Sequence, residues 1–396
     1  MAARQHSTAY QSYYERSEAD NLTPLATYLL RLIHLKRTNL CVSADVTTSN
    51  ALLRLAEEVG DHICILKTHA DIIADFNDKT IRGLNELSRR KKFLVFEDRK
   101  FGDIGNTVQL QYTGGSLAIV RWAPIVNAHI FPGAAVITSL AEAATKAIAS
   151  YNTSVSTDIS ASPAPSRAGS GPGEEAESEP DSEDDEDEDE DGDDDTDEEP
   201  EADDGRNGRK HSVVSVSTTI STKTEAISPT PQLKPSLSRG STEEDDEEDE
   251  NEDMLKSQLE ALGPPPFYRS LLLLAQMSSE ANFFTPEYTS ACVREARNNR
   301  DFVMGFIAQQ GLNSEPDDNF ITMTPGVQKA AGGDGKGQQY NTPRMVVAEQ
   351  GADVIIVGRG ILNAADRRKE ALEYRKQGWL AYEERLRVGR SRRTGR

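Results

Sequence analysis
The chain has 396 residues, 36% of them hydrophobic, with 44 Lys and Arg against 66 Asp and Glu and a formal net charge of -22. That charge has a local source: residues 151–263 contain 36 acidic and 8 basic residues, leaving +6 for the other 283, so the composition argues against a single fold running through the whole chain. No run of 18 apolar residues argues for a membrane span, and a mildly basic folded part with an acidic appendage says little about nucleic acid but agrees with an anionic small ligand; no nucleic-acid partner is expected.

The N-terminal stretch MAARQHSTAYQSYYERSEADN has no apolar signal-peptide core, so a cytoplasmic protein is expected. Four strand-like apolar runs follow in order: Asn39–Asp45, His62–His69, Phe93–Asp98 and Ile125–His129. Helix-like segments such as SNALLRLAEEVG and DKTIRGLNELSRRKK separate them. After the fourth helix, AEAATKAIAS, the chain enters the acidic Ser-rich stretch, whose charge and lack of aromatics predict a solvated, disordered insert at 151–263. Four more strand-like runs come after it: Ser270–Met277, Phe302–Gln309, Phe320–Thr324 and Val354–Gly358. Cys41, Cys64 and Cys292 are scattered, two of them in apolar runs, and read as small core residues rather than disulfide or metal partners.

Eight near-continuous apolar strands alternating with helices predict a parallel sheet covered on its faces, an α/β fold of the (β/α)8 TIM-barrel type. Residues 1–150 would form its first half and 264–396 its second. A doubly wound open sheet is the competing architecture, but no GxGxxG follows the first strand. In such a barrel the C-terminal strand ends form the active face. Polar residues collect there: Ser43 and Asp45, then Lys67, His69 and Asp71, then Asp98, Lys100 and Asp103, then Asn127 and His129, then Ser278, and finally Arg359 in VGRGI. A single strand-end Asp also serves as a helix cap or an ion-pair partner, but charge at the end of nearly every strand points to one shared site. Asp98 and Lys100, two apart on an extended segment, are expected to project to the same side, where neighbouring carboxylates would keep the lysine protonated. The Gly-rich loop GVQKAAGGDGKGQQY precedes the eighth strand, a usual phosphate position, and reads as a lid over an anionic group.

The segment FEDRKFGDIGNT, together with LKTHADI, MGFIAQ, MTPGV, GQQY and IIVGRGI, closely resembles the orotidine 5'-phosphate decarboxylases in their single-function fungal type. The resemblance extends from about Tyr28 to Tyr382 outside the insert. It implies a homodimeric barrel that converts orotidine 5'-phosphate to UMP in pyrimidine biosynthesis with no cofactor and no metal. It further implies that Lys100 protonates C6, that Asp98 lies by the substrate carboxylate, that Lys67 joins the charged chain and reaches the ribose, and that Asp45 binds ribose hydroxyls. Asp103 and Thr107 would reach into the partner's site, Ser278 would bind the pyrimidine, Gln338, Tyr340 and Arg359 would hold the phosphate, and Gly358 would be among the substrate-binding residues.

The insert departs from this pattern and falls on a helix-to-strand connection, at the barrel face opposite the chemistry. The 38 residues before the first strand are too few to encode the phosphoribosyltransferase fused to this decarboxylase in animals. Metal-dependent phosphosugar decarboxylases and aldolases on the same barrel share the spacing of Asp98, Lys100 and Asp103, but they place an acidic metal ligand where this chain has Lys67. An acidic binding module leaves the strand-end charges unexplained.

Overall fold
The computed structural model describes residues 6–162, 213–222, 254–279, 281–330, 332–333 and 339–394. Eight parallel strands close a barrel in sequence order: β1 (Leu40–Ala44), β2 (Ile65–Thr68), β3 (Leu94–Phe101), β4 (Ile125–Ala128), β5 (Ser270–Leu274), β6 (Val303–Ile307), β7 (Ile321–Thr324) and β8 (Val354–Val357), with β8 pairing back to β1. Seven of the expected apolar runs contain one of these strands whole, while β3 runs past its expected end at Asp98 to Phe101, and the open-sheet alternative is set aside because the sheet has no edge. Strands β1, β2, β4, β5, β6, β7 and β8 are buried along their whole length, as parallel strands under helices must be. In β6, Gly305 is required by packing, since a Cβ there would overlap the Ile321 carbonyl of β7.

Helices follow β1 to β5 at Ser49–Val59, Asp78–Lys91, Gly105–Thr113, Ala135–Asn152 and Pro286–Asn298. Their starts are written locally: Thr48, Asn77 and Thr285 each accept a first-turn N–H, and Pro286 occupies the first helical position. The connection from β6 to β7, residues 308–320, has no helix. After β8 come a short helix, Arg359–Leu362, and the long Arg367–Thr394.

The barrel's N-terminal end is closed by the helix Pro24–Lys36. There the buried Lys36 Nζ lies 2.7–2.8 Å from the carbonyl oxygens of Gly60, Ile63, Lys91 and Lys92, its N–H donors shared among backbone acceptors that precede β2 and β3. Gly263 sits at the same end, its carbonyl accepting from Tyr28 Oη at 3.3 Å and Lys92 Nζ at 3.2 Å. The chain therefore re-enters the barrel at the face away from the strand C-termini.

Two parts of 151–263 have regular structure that the charge pattern concealed. Thr153–Ser162 pairs antiparallel with Val213–Thr222 in a ribbon belonging to a separate compact unit, Asn152–Ala226. Both strands are rich in Val, Ile, Ser and Thr, whose β-branched members favour extended backbone. Residues 254–261 are helical, and Leu259 and Leu262 pack against the barrel core. This helix before β5 belongs to the fold because it carries leucines, which the acidic stretch at 241–253 lacks.

Candidate active site
The C-terminal ends of β1 to β4 converge on the Asp98 carboxylate. Alternation along β3 puts Phe96 and Asp98 on one side of the sheet and Glu97 on the other. Asp98 is only 11% exposed at its side chain. Its Oδ2 meets Lys67 Nζ of β2 at 2.6 Å, while Oδ1 meets Lys100 Nζ at 2.8 Å and accepts from Asn127 Nδ2 of β4 at 2.7 Å. His69 Nε2 lies 2.9 Å from Lys67 Nζ, 3.3 Å from Asp98 Oδ2 and 3.7 Å from Asp45 Oδ1. Asp45, exposed beyond β1, accepts from Ser43 Oγ at 2.7 Å.

Charges alternate along this row, and their protonation follows from it. Burial alone would push the Asp98 carboxyl up, but Lys67, His69 and Lys100 outweigh it and hold Asp98 well below the usual carboxylate range. Burial alone would pull the Lys67 ammonium down, but Asp98 and Asp45 reverse that and raise it. Both groups are therefore charged at neutral pH. On the other side of β3, the fully buried Glu97 accepts from Thr68 Oγ1 at 2.6 Å and from Ala70 N–H at 3.0 Å. Burial dominates there and raises its carboxyl to about 7.

Lys100 meets Asp98 by a different route from the expected alternation. Its φ is +53°, and the pairing of β3 with β4 slips between Glu97 and Phe101. The strand is bulged at the lysine, and the ion pair forms across that bulge.

A second group of candidates gathers around β5 and β8. Gln339 N–H donates to the Ser278 carbonyl at 3.3 Å, and Gln339–Tyr340 pairs antiparallel with Gly332–Gly333. The Arg359 guanidinium carbon lies 5.6 Å from the centre of the Tyr340 ring. Gly358 stands close to β1, since a Cβ on it would come within 3.4 Å of Asp45 Oδ2. Gln338 lies outside the described residues. Asp103 and Thr107 stand apart: Asp103 accepts from Ile104 N–H at 2.9 Å and Gln111 Nε2 at 3.3 Å, and among the described residues no ion pair joins it to Lys100. Thr107 is exposed on the helix Gly105–Thr113.

The expectation gave no role to Asn127 or His69. Both had been visible as strand-end polar residues, but nothing in the spacing reveals that each touches Asp98.

The family model described as orotidine 5'-phosphate decarboxylase / HUMPS family matches residues 38–161 and 244–374. The chain is similar to orotidine 5'-phosphate decarboxylase of Aureobasidium pullulans, with 43% identity over 96% of this chain and 95% of that one. It is similar to the protein of the same name from Hypocrea atroviridis, again 43% identical, over 96% of this chain and 99% of that one. A solved orotidine 5'-phosphate decarboxylase from Pyrococcus horikoshii OT3 aligns at a TM-score of 0.39 and 15% identity, covering 86% of this chain and 98% of that chain. Both fungal relatives are covered almost to their full length.

Proposed function
The chain belongs to the orotidine 5'-phosphate decarboxylase / HUMPS family and decarboxylates orotidine 5'-phosphate to UMP, a step of pyrimidine biosynthesis, and on that premise we propose that Lys100 is the group that protonates C6. The observation that carries this reading is the row Lys67, Asp98, Lys100, with the 2.6 and 2.8 Å ion pairs that share one buried carboxylate. Loss of carbon dioxide leaves an electron pair in an sp2 orbital at C6, poorly delocalised into the ring. The reaction needs a positive charge already in place where that pair develops, and a fixed ammonium supplies it without reorganisation. Lys100 then gives up a proton as the new C–H bond forms.

Asp98 faces the departing carboxylate in this reading, held ionised by its lysines although the substrate brings a second negative charge. Lys67 and Asp45 bind ribose hydroxyls. Ser278 binds the pyrimidine, Gly358 lines the substrate site, and Gln338, Tyr340 and Arg359 hold the phosphate, where a guanidinium fits two phosphate oxygens at once. Enzymatic accelerations correspond to roughly 8–23 kcal/mol, more than one ammonium supplies, so phosphate binding far from C6 contributes to the barrier reduction. No metal or cofactor is assigned a role, because the two lysines provide the cationic charge.

The proposal includes a homodimer with shared sites, Asp103 and Thr107 serving the partner, and a cytoplasmic location. Among the described residues no helix is long and apolar enough to cross a membrane. Two measurements test the reading. Lys100→Ala should abolish turnover while UMP binding stays measurable, and wild-type activity should survive a chelator. Turnover above about a tenth of wild type in the variant refutes the role of Lys100, and loss of activity with the chelator refutes the metal-free reading.

A further inference from the structure
Lys100 carries a backbone conformation unusual for a lysine. Its φ of +53° lies in the left-handed region. What faces this strained residue comes from the next strand. Asn127, fully buried in β4, accepts the Lys100 N–H through Oδ1 at 2.7 Å and donates Nδ2 to Asp98 Oδ1 at 2.7 Å. That same Asp98 oxygen receives the Lys100 ammonium at 2.8 Å. One side-chain amide thus holds both the lysine's backbone and the carboxylate that its side chain meets.

We propose that Asn127 is a positioning residue for the decarboxylation, locking the bulge that aims Lys100 and fixing Asp98 beside the ammonium. The inference rests on Lys100 as the proton donor. The task requires a donor and an acceptor on one short planar group, which asparagine has. Leucine has neither. Aspartate keeps the acceptor for Lys100 N–H but sets a second carboxylate against Asp98, until one of the two takes a proton. A protonated carboxyl restores the lost donor.

The closing experiment uses the full chain and compares Asn127→Leu, Asn127→Asp and Lys100→Ala, measuring kcat, KM, UMP affinity and thermal stability. A misaimed ammonium should cost Asn127→Leu about 100-fold in kcat. KM and UMP affinity should stay within about threefold, because the pair acts mainly in the transition state. Asn127→Asp should be similarly impaired at neutral pH, and its kcat relative to wild type should climb toward about pH 5 as the new carboxyl pair gains a proton. The other groups around Asp98 and Lys100, namely Asp45, Lys67, His69 and His129, are common to both proteins, so the ratio isolates the introduced carboxyl. A kcat for Asn127→Leu within about threefold of wild type overturns the inference, as does a KM that rises in step with the loss or an Asn127→Asp ratio flat with pH. Should Asn127→Leu fail to fold, the pH dependence of Asn127→Asp decides alone. An active Lys100→Ala refutes the underlying reading, whereas an inactive one beside a fully active Asn127→Leu refutes only the role of Asn127.

Discussion

Lys67 Nζ and Asp98 Oδ2 lie 2.6 Å apart across the seam between β2 and β3, with side chains 8% and 11% exposed. At that burial the pair is not an ornamental surface bridge: removing one partner strands the other in a poorly solvated place. Lys67→Met should lower stability to urea by about 3 kcal/mol, somewhat less than a full orphaned charge because Lys100 and His69 remain. Asp98 is held low in the fold, so its contribution is present above the unfolded carboxyl value of 3.8 and is lost as pH falls from there through the lower folded value. In the variant, which lacks the Lys67 charge, that acid loss should be smaller and complete at a higher pH. A stability unchanged to within about 0.5 kcal/mol would mean that the pair is energetically idle.

The proposed dimer with shared sites is tested by subunit exchange. On that proposal Lys100→Ala and Asp103→Ala homodimers should each be nearly inactive, because every site in either one lacks a required group. In a mixed dimer one site receives both intact groups and the other receives neither. Random pairing should then recover about a quarter of wild-type activity per subunit, as two-fold symmetry requires of a shared site. A mixture as inactive as its parents, after exchange is demonstrated, places Asp103 in its own chain's site.

The acidic stretch should be removable up to a definite boundary. Replacing residues 153–250 by a short flexible linker should leave kcat and KM within about threefold, because closure entropy depends only weakly on loop length. Extending the deletion through Leu262 also removes Leu259, and both leucines pack on the core. That longer deletion should cost about 2 kcal/mol or more in urea unfolding. Equal stability of the two deletion proteins would show that the helix at 254–261 contributes nothing to the barrel.

Glu97 should make the wild-type protein less stable as pH rises toward neutrality. Its folded value of about 7 exceeds the ordinary carboxyl value of 4.5, so the folded chain binds the extra proton between them. That contribution is complete below about 4.5 and is lost as pH passes through 7. Compared with Glu97→Gln, whose side chain does not titrate, wild type should lose up to about 3 kcal/mol of unfolding free energy over this window. A difference between the two proteins that is constant with pH would show that Thr68 and Ala70 keep the carboxylate ionised.

The sequence by itself determined the order of eight strands, because each buried parallel strand leaves a continuous apolar run bounded by polar residues. It also determined which residues end on the active face, since topology sends every strand's C-terminus to the same side. Asp45, Lys67, Asp98 and Lys100 were legible for that reason. Tertiary structure alone decided how they meet. The bulge at Lys100 answers to Asn127, 27 residues away, and Asn127 reaches both Lys100 and Asp98 only once β4 lies against β3. His69 meets Asp98 the same way, across a seam rather than along a chain. The helix at 254–261 was hidden by the charge of its neighbours, and only a core to pack against distinguishes Leu259 and Leu262 from the acidic residues before them. Periodicity records what each segment buries, whereas contacts between segments depend on distances that no local pattern encodes.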